Sequence, residues 1–272
     1  RIVRTVMHKP AQLTAKDISL GYGERDIITG LSVDIAPGKV TSIVGPNGCG
    51  KSTLLRSLSR LLRPTGGEIF LDGKAISEIP TKQLAASLGL LPQSPIAPDG
   101  IVVTDLVGRG RTPHQGLLGR WSQEDYDIVQ ESMEMTGVAE LAERSIDELS
   151  GGQRQRVWIA MALAQRTDIL LLDEPTTYLD IKHQLEVLDL LVELNETHGT
   201  TIAMVIHDLN LAARYSDELI AVSNGNVYAQ GSPQDVMTQQ TVKDVFGVDS
   251  VIVEDPVSGL PAVMPIGKRK VK

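Results

Sequence analysis

Eight consecutive residues, Gly45-Pro46-Asn47-Gly48-Cys49-Gly50-Lys51-Ser52, satisfy the pattern G-x-x-x-x-G-K-[ST], and Thr53 follows them. Glycines let such a loop wrap so that several backbone N–H groups point inward at phosphate oxygens, and the positive end of a following helix adds to that field. Lys51 is then placed to neutralise β and γ phosphates, and Ser52 to offer a hydroxyl to Mg²⁺. The competing explanation is a chance glycine turn, which matches four specified positions in about one chain of this length in a hundred.

Two carboxylates, Asp173-Glu174, end the apolar run 169–172. A parallel strand delivers its last residues to the ligand crevice of a sheet, so Asp173 is placed to hold Mg²⁺, directly or through water. Glu174 is placed to polarise an attacking water as general base. Alone, the pair reads equally well as solvated strand caps; beside a phosphate loop, chemistry is the better reading.

The third cluster, Leu149-Ser150-Gly151-Gly152-Gln153, opens a helical pattern over 153–164. Ser150 suits a plain N-cap, yet the same geometry makes a second anion site, because a helix N-terminus turns its N–H groups outward. One chain then has two phosphate-binding surfaces and one nucleotide pocket. The economical resolution is that the second surface covers the nucleotide of another copy, so that two ATP molecules lie between two chains.

These clusters need elements to position them. Strand-like alternation over 13–20 and at Leu31, Val33 and Ile35 precedes the apolar run 40–44, which enters the phosphate loop. Leucines at helical spacing predict a helix over 52–62, stopped by Pro64 and Gly66-Gly67, and 68–76 reads as a hairpin turning at Asp72-Gly73. Helix patterns follow at 123–135 and 153–164, then strand 169–172, helix 181–197 and strand 200–206. A last hairpin over 218–231 turns at Asn224-Gly225, and the final forty residues read as a short helical piece and a Pro- and Gly-rich tail ending in four basic residues at 268–272. Alternating strands and helices predict a mostly parallel sheet.

Composition bounds the classes available. The chain has 272 residues, 42% hydrophobic and 22% charged, with 34 acidic against 26 basic side chains. That suffices for a sizeable core and argues against disorder. A single cysteine excludes an internal disulfide framework and suits a reducing compartment. No run approaches the roughly 18–20 apolar residues of a membrane span, and the start Arg1-Ile2-Val3-Arg4 lacks the core of a secretory signal. A net charge of −8 argues against nucleic acid as a partner. Cys49 lies where Lys51 and a helix N-terminus favour thiolate, but a cysteine in such a loop more often only tolerates close packing, and no catalysis is assigned to it; maleimide is expected to block turnover and ATP to protect. His8, His114, His183 and His198 read as structural.

The phosphate loop, Gln93, 149–153, Asp173-Glu174, Asp180 and His207 resemble, in order and spacing, the nucleotide-binding subunit of an ABC transporter over roughly residues 13–231. The resemblance implies an α/β fold: a P-loop NTPase core with a mixed sheet, an N-terminal antiparallel β subdomain and an inserted helical subdomain. Its divisions fall at 11–93 with 166–231 for the ATP-binding core, 94–165 for the helical subdomain, and 232–272 for a C-terminal extension. It implies that Tyr22 stacks on adenine, that Gln93 joins Mg²⁺ to the transporter contact, that Asp180 lies in a loop reaching across a dimer, and that His207 contacts the γ phosphate.

Further segments sharpen the resemblance. Gly108-Arg109-Gly110-Arg111-Thr112-Pro113-His114, the run 149–165, the run 173–180, His183-Gln184 and the run 207–214 look like bacterial ferric siderophore importers. That implies an ATPase working with a second copy of itself, a polytopic permease and, indirectly, a siderophore-binding protein, as a peripheral protein on the cytoplasmic face of the inner membrane. Importers of cobalamin or haem are the near alternatives. A soluble ABC ATPase of iron–sulfur cluster assembly is the alternative from another class.

Overall fold

The computed structural model describes residues 10–22, 25–116 and 120–267, and of Tyr22 and Arg25 the backbone alone. The chain opens with an antiparallel pair, β1 (Leu13–Tyr22) and β2 (Arg25–Ile35), registered so that Leu13 faces Ile35 and Ala15 faces Val33. The wholly buried β3 (Val40–Val44) leads through the glycine-rich loop into α1 (Lys51–Leu58). β4 (Gly66–Leu71) returns beside β1 and turns through Asp72-Gly73, both at positive φ, into the short β5 (Lys74–Ala75). These strands make an antiparallel sheet of order β2-β1-β4-β5.

α1 is shorter than its leucine spacing predicts. Leu61 and Leu62 keep helical phase, but Arg60 turns to a φ of 63° and its guanidinium is held by the carbonyls of Ile76 and Ile79. Tertiary hydrogen bonding to the charged side chain overrides local propensity there.

α2 (Thr81–Ser87) and β6 (Leu88–Leu91) come next, too short for any periodicity to be legible. α3 (Val103–Gly108), α4 (Gln123–Met135) and α5 (Gly151–Ala164) form the helical region. α5 is capped by Ser150, as its spacing predicts, and takes in Gly151 and Gly152 as its first turn: the Ser150 hydroxyl accepts from Gln153 N–H while the Gln153 side-chain Oε1 accepts from Ser150 N–H. Arg111 is buried between the helices, donating to Asp125 Oδ1 at 2.9 Å and to the Ala164 carbonyl at 2.8 Å. A Cβ on Gly108 would lie 2.3 Å from the Trp121 ring, so only glycine lets that ring close over the end of α3. Gly108 and Arg111 thus serve the packing of the helical region.

β7 (Ile169–Asp173), α6 (Ile181–His198), β8 (Thr201–Val205), α7 (Leu209–Tyr215), β9 (Glu218–Ser223) and β10 (Asn226–Gly231) complete the core. The large sheet has the order β10-β9-β3-β8-β7-β6 and is parallel except for β10, which pairs antiparallel to β9. Alternate residues of its strands bury on opposite faces. Ile169, Leu171, Ala203, Val205 and Ile220 join Leu54, Leu55 and Leu58 of α1 beneath the antiparallel sheet. Leu170, Leu172, Ile202, Met204 and Leu219 face α5, α6 and the helical region. Burial on both faces explains why these strands are continuous apolar runs.

The end of the chain departs from the expected tail. α8 (Pro233–Val236), α9 (Gln239–Phe246) and an antiparallel hairpin, β11 (Ser250–Glu254) with β12 (Pro261–Pro265), pack back onto the core. The basic residues 268–272 lie outside the described residues. Among the described residues no helix is long and apolar enough to cross a membrane.

Candidate active site

Strand register assembles the site. β3, β8, β7 and β6 are neighbours and run the same way, with Val205 opposite both Ile43 and Asp173, and Leu91 opposite Leu172. The residues leaving these four strands therefore emerge along one edge: the phosphate loop after β3, His207 after β8, Asp173-Glu174 at the end of β7, and Gln93 after β6. That edge is the carboxyl end of a parallel sheet, where such folds bind ligands.

The loop between β3 and α1 is tightly held. A Cβ on Gly45 would sit 2.2 Å from the Val222 carbonyl oxygen, so glycine is required for the loop to pass the end of β9. Gly48 and Gly50 have φ of 78° and 106°, left-handed settings that let the loop wrap tightly ahead of α1. Lys51 is buried, and its Nζ donates to the carbonyls of Gly45 and Pro46 at 2.8 and 2.9 Å. Two carbonyls hold the ammonium over the loop that would wrap a phosphate chain. Thr53 is buried at the foot of α1, while Asn47 is exposed at the loop's crown.

Of the two readings of Cys49, the structure favours close packing over thiolate. The residue is buried, and burial pushes the thiol up, against the smaller opposing pull of Lys51. Lysine and helix terminus together do not offset desolvation.

Ser52 Oγ donates to Asp173 Oδ1 at 3.0 Å, joining α1 to the end of β7. Burial raises the Asp173 carboxyl, and Glu174 beside it adds to the rise, while the Ser52 hydrogen bond opposes it. Glu174 behaves oppositely. Burial pushes it up, but contacts from His207, Thr177 and Gln93 outweigh burial and hold it below its ordinary value. His207 Nε2 lies 2.6 Å from Glu174 Oε1, and Thr177 Oγ1 donates to Glu174 Oε2 at 3.0 Å. An ionised carboxylate only accepts, so both partners are donors. Glu174 also has a φ of 57°, a backbone setting that glutamate seldom adopts. An ionised, oriented carboxylate is what a general base requires.

Other residues named from the sequence have local partners. Asp180 caps α6, accepting from His183 N–H at 2.9 Å and pairing with His183 Nδ1 at 2.7 Å. Ser150 and Gln153 are the capping box described above, and Gly151 and Gly152 pass beside Tyr178 and Leu179. Among the described residues, no hydrogen bond or ion pair joins this turn to residues 45–53. Tyr22 ends β1, and its side chain is outside the described residues, as is His8. His114 contacts the Gln165 carbonyl.

Sequence reasoning gave no role to Thr177 or Gln155. Thr177 steadies Glu174 from three residues on, and buried Gln155 donates to the Pro175 carbonyl at 3.0 Å, tying α5 to the turn after Glu174. The only signal available was their proximity to the two motifs.

The donor set fits Mg²⁺. Ser52 and Asp173 already bring a hydroxyl and a carboxylate together, all oxygen, and among the described residues no group of three or more His, Cys, Asp or Glu could cage a metal. Mg²⁺ is held by one or two carboxylates plus substrate phosphates and water, so two protein oxygens at a phosphate loop suit it.

A phosphate loop, an oriented carboxylate base and a twisted parallel sheet that presents them on one edge define an ATPase of the phosphate-loop class. The chain belongs to the ABC transporter family, whose profile matches residues 28–177. It is 54% identical over 256 residues, 94% of either chain, to the petrobactin import ATP-binding protein FpuD of Bacillus anthracis. It is 50% identical over 258 residues, 95% of either chain, to the ferric enterobactin transport ATP-binding protein FepC of Escherichia coli (strain K12). The ATP-binding cassette MJ0796, solved as a dimer in a post-hydrolysis state bound to ADP and Pi, superposes with a TM-score of 0.72 at 30% identity, over 81% of this chain and 98% of that one. Members of this family bind and hydrolyse ATP, and so does this chain.

Proposed function

We propose that this protein is the ATP-hydrolysing subunit of a bacterial importer, working as a pair of copies around two ATP–Mg²⁺ to drive uptake of a ferric siderophore through a membrane permease. The observation that carries the hydrolytic part is the alignment of Lys51, Ser52, Asp173, Glu174 and His207 along adjacent ends of β3, β8 and β7. The cargo rests on identity of 50–54% to petrobactin and ferric enterobactin ATP-binding proteins over nearly the whole chain.

In this reading the backbone N–H groups of residues 47–53 and the Lys51 ammonium hold the phosphates, with Gly45 and Pro46 shaping the loop, and Tyr22 stacks on the adenine. Ser52, Asp173 and Gln93 hold Mg²⁺, which supplies charge neutralisation on the phosphate oxygens when bound. Glu174 takes a proton from the attacking water, whose oxygen bonds to the γ phosphorus as the bond to ADP breaks. His207 keeps Glu174 in place and contacts the γ phosphate. Positioning and charge stabilisation do most of the work in such a reaction.

The Ser150-Gly151-Gly152-Gln153 turn, with no partner in its own phosphate loop, completes the nucleotide site of the second copy, and the Asp180 loop crosses the same joint. ATP then favours the closed pair by its differential affinity, and hydrolysis releases it. The helical region 94–165 transmits closure to the permease, with the ATPase peripheral on the cytoplasmic face and a binding protein supplying siderophore outside.

Two measurements test this. Turnover per protomer should rise with protomer concentration and fall on Ser150→Ala; full turnover by a lone protomer, insensitive to Ser150, ends the paired-site reading. Reconstitution with a siderophore permease should give cargo-stimulated ATPase activity, and stimulation by haem or cobalamin alone would redirect the cargo.

A further inference from the structure

α7 is seven residues long and begins two positions after His207, and a helix that short has no stability of its own in water. It is held from outside. The Asp208 carboxylate accepts from the N–H groups of Asn210 and Leu211 at 2.8 and 2.9 Å, which sets the turn that follows His207. Ala212 and Ala213 are buried in the core, and Tyr215 Oη donates to Asp189 of α6 at 2.9 Å. A further face carries Asn210 and Arg214, four residues apart and so one above the other.

Both are taken up by the C-terminal hairpin. Val263 N–H donates to Asn210 Oδ1 at 2.7 Å, and Asn210 Nδ2 donates back to the Val263 carbonyl at 3.3 Å, so the side-chain amide pairs with β12 as a strand would. Arg214 donates through Nε and Nη2 to Asp255 Oδ2 at 3.0 and 2.6 Å. Asp255 also accepts from Val257 N–H and Ser258 Oγ in the hairpin turn, so the group that receives Arg214 is itself fixed. Behind the hairpin, α9 packs on β11 and on the β9–β10 edge, burying Val242 and Val245.

His207 needs such support. Its side chain is 46% exposed, against 10% for Glu174, so side-chain packing does little to set the imidazole and the backbone around it must do so. We propose that the C-terminal hairpin clamps α7 and that Asn210, Arg214 and Asp255 are positioning residues for ATP hydrolysis, acting through His207 on Glu174. This rests on the roles given above to His207 and Glu174. It gives residues beyond 231 a task in the cycle that the sequence alone did not suggest.

The test uses the full chain with Asp255→Asn, Asn210→Ala, His207→Ala and the Asp255→Asn/His207→Ala double variant, following kcat, KM for ATP and the thermal midpoint. Either single hairpin-contact variant is expected to lower kcat by about three- to tenfold with KM within about twofold, since misplacement at a reacting centre acts on the chemical step. Adding Asp255→Asn to His207→Ala should lower the rate no further, because contacts acting through one group are not additive. Unchanged kcat in both single variants, a loss that multiplies in full with that of His207→Ala, or a matching rise in KM would each overturn the clamp. If Asp255→Asn does not fold, Asn210→Ala alone and combined with His207→Ala decides the matter. A fully active His207→Ala would instead remove the role given to His207, whatever the hairpin variants do.

Discussion

His207 Nε2 and Glu174 Oε1 lie 2.6 Å apart, joining the ends of two strands that are adjacent in the sheet and far apart in the chain. The contact explains two features of Glu174 together. Its carboxyl stays ionised despite burial, and its orientation is fixed in a backbone conformation that glutamate seldom adopts.

Glu174→Gln keeps the side-chain shape and loses the base. ATP binding should persist while turnover falls by roughly 10²–10⁴-fold. Size-exclusion chromatography with ATP–Mg²⁺ should then show an accumulated dimer. Wild-type turnover in this variant would remove Glu174 as the base.

Lys51→Ala removes a buried ammonium held by two loop carbonyls. Nucleotide affinity should fall by about tenfold or more, the worth of a charged hydrogen bond. The readout is the rise in thermal midpoint on adding ATP, which this variant should largely lose.

Cys49 should react slowly with maleimide at neutral pH, because its thiol is buried and pushed upward. Alkylation should accelerate only when the loop opens, in denaturant or on heating. Rapid labelling of the folded chain at pH 7 would contradict the buried, neutral thiol.

Asp125 ties its acidity to stability. Hydrogen bonding from Ser122 N–H, with Arg111 adding to it, outweighs burial and holds the carboxyl at about 2. A folded value below the unfolded one stabilises at neutral pH, and the gain disappears as pH falls from about 4 toward about 2. Asp125→Asn, which leaves the Arg111 charge buried without its partner, should lower stability by about 3–5 kcal/mol at pH 7. Its melting midpoint should also fall less steeply than the wild type's across that acid range.

Much of the site was legible because its parts are contiguous. The glycine-rich loop, the Asp173-Glu174 end of an apolar strand and the Ser150 cap each depend on neighbours within a few residues, so covalent spacing alone discloses them. The two hairpin turns at Asp72-Gly73 and Asn224-Gly225 were legible for the same reason: both require positive φ, and both have it. Short elements were not. α2, β6 and α3 are too brief for a period to declare itself, and α1 stops early because Arg60 finds carbonyl partners sixteen and nineteen residues away.

The hairpin at the C-terminus marks the same boundary. Ser250–Glu254 and Pro261–Pro265 carry no motif, and their link to α7 exists only once Asp255 meets Arg214 across forty-one residues. The amino-acid order by itself determined which groups could grip phosphate and activate water, since those are properties of residue type and local spacing. Which of them meet, which thiol is silenced by burial and which carboxylate stays charged were decided by the order and register of parallel strands. Distances between residues far apart in the chain, and the desolvation that shifts their protonation, come into being only when those strands pair and pack.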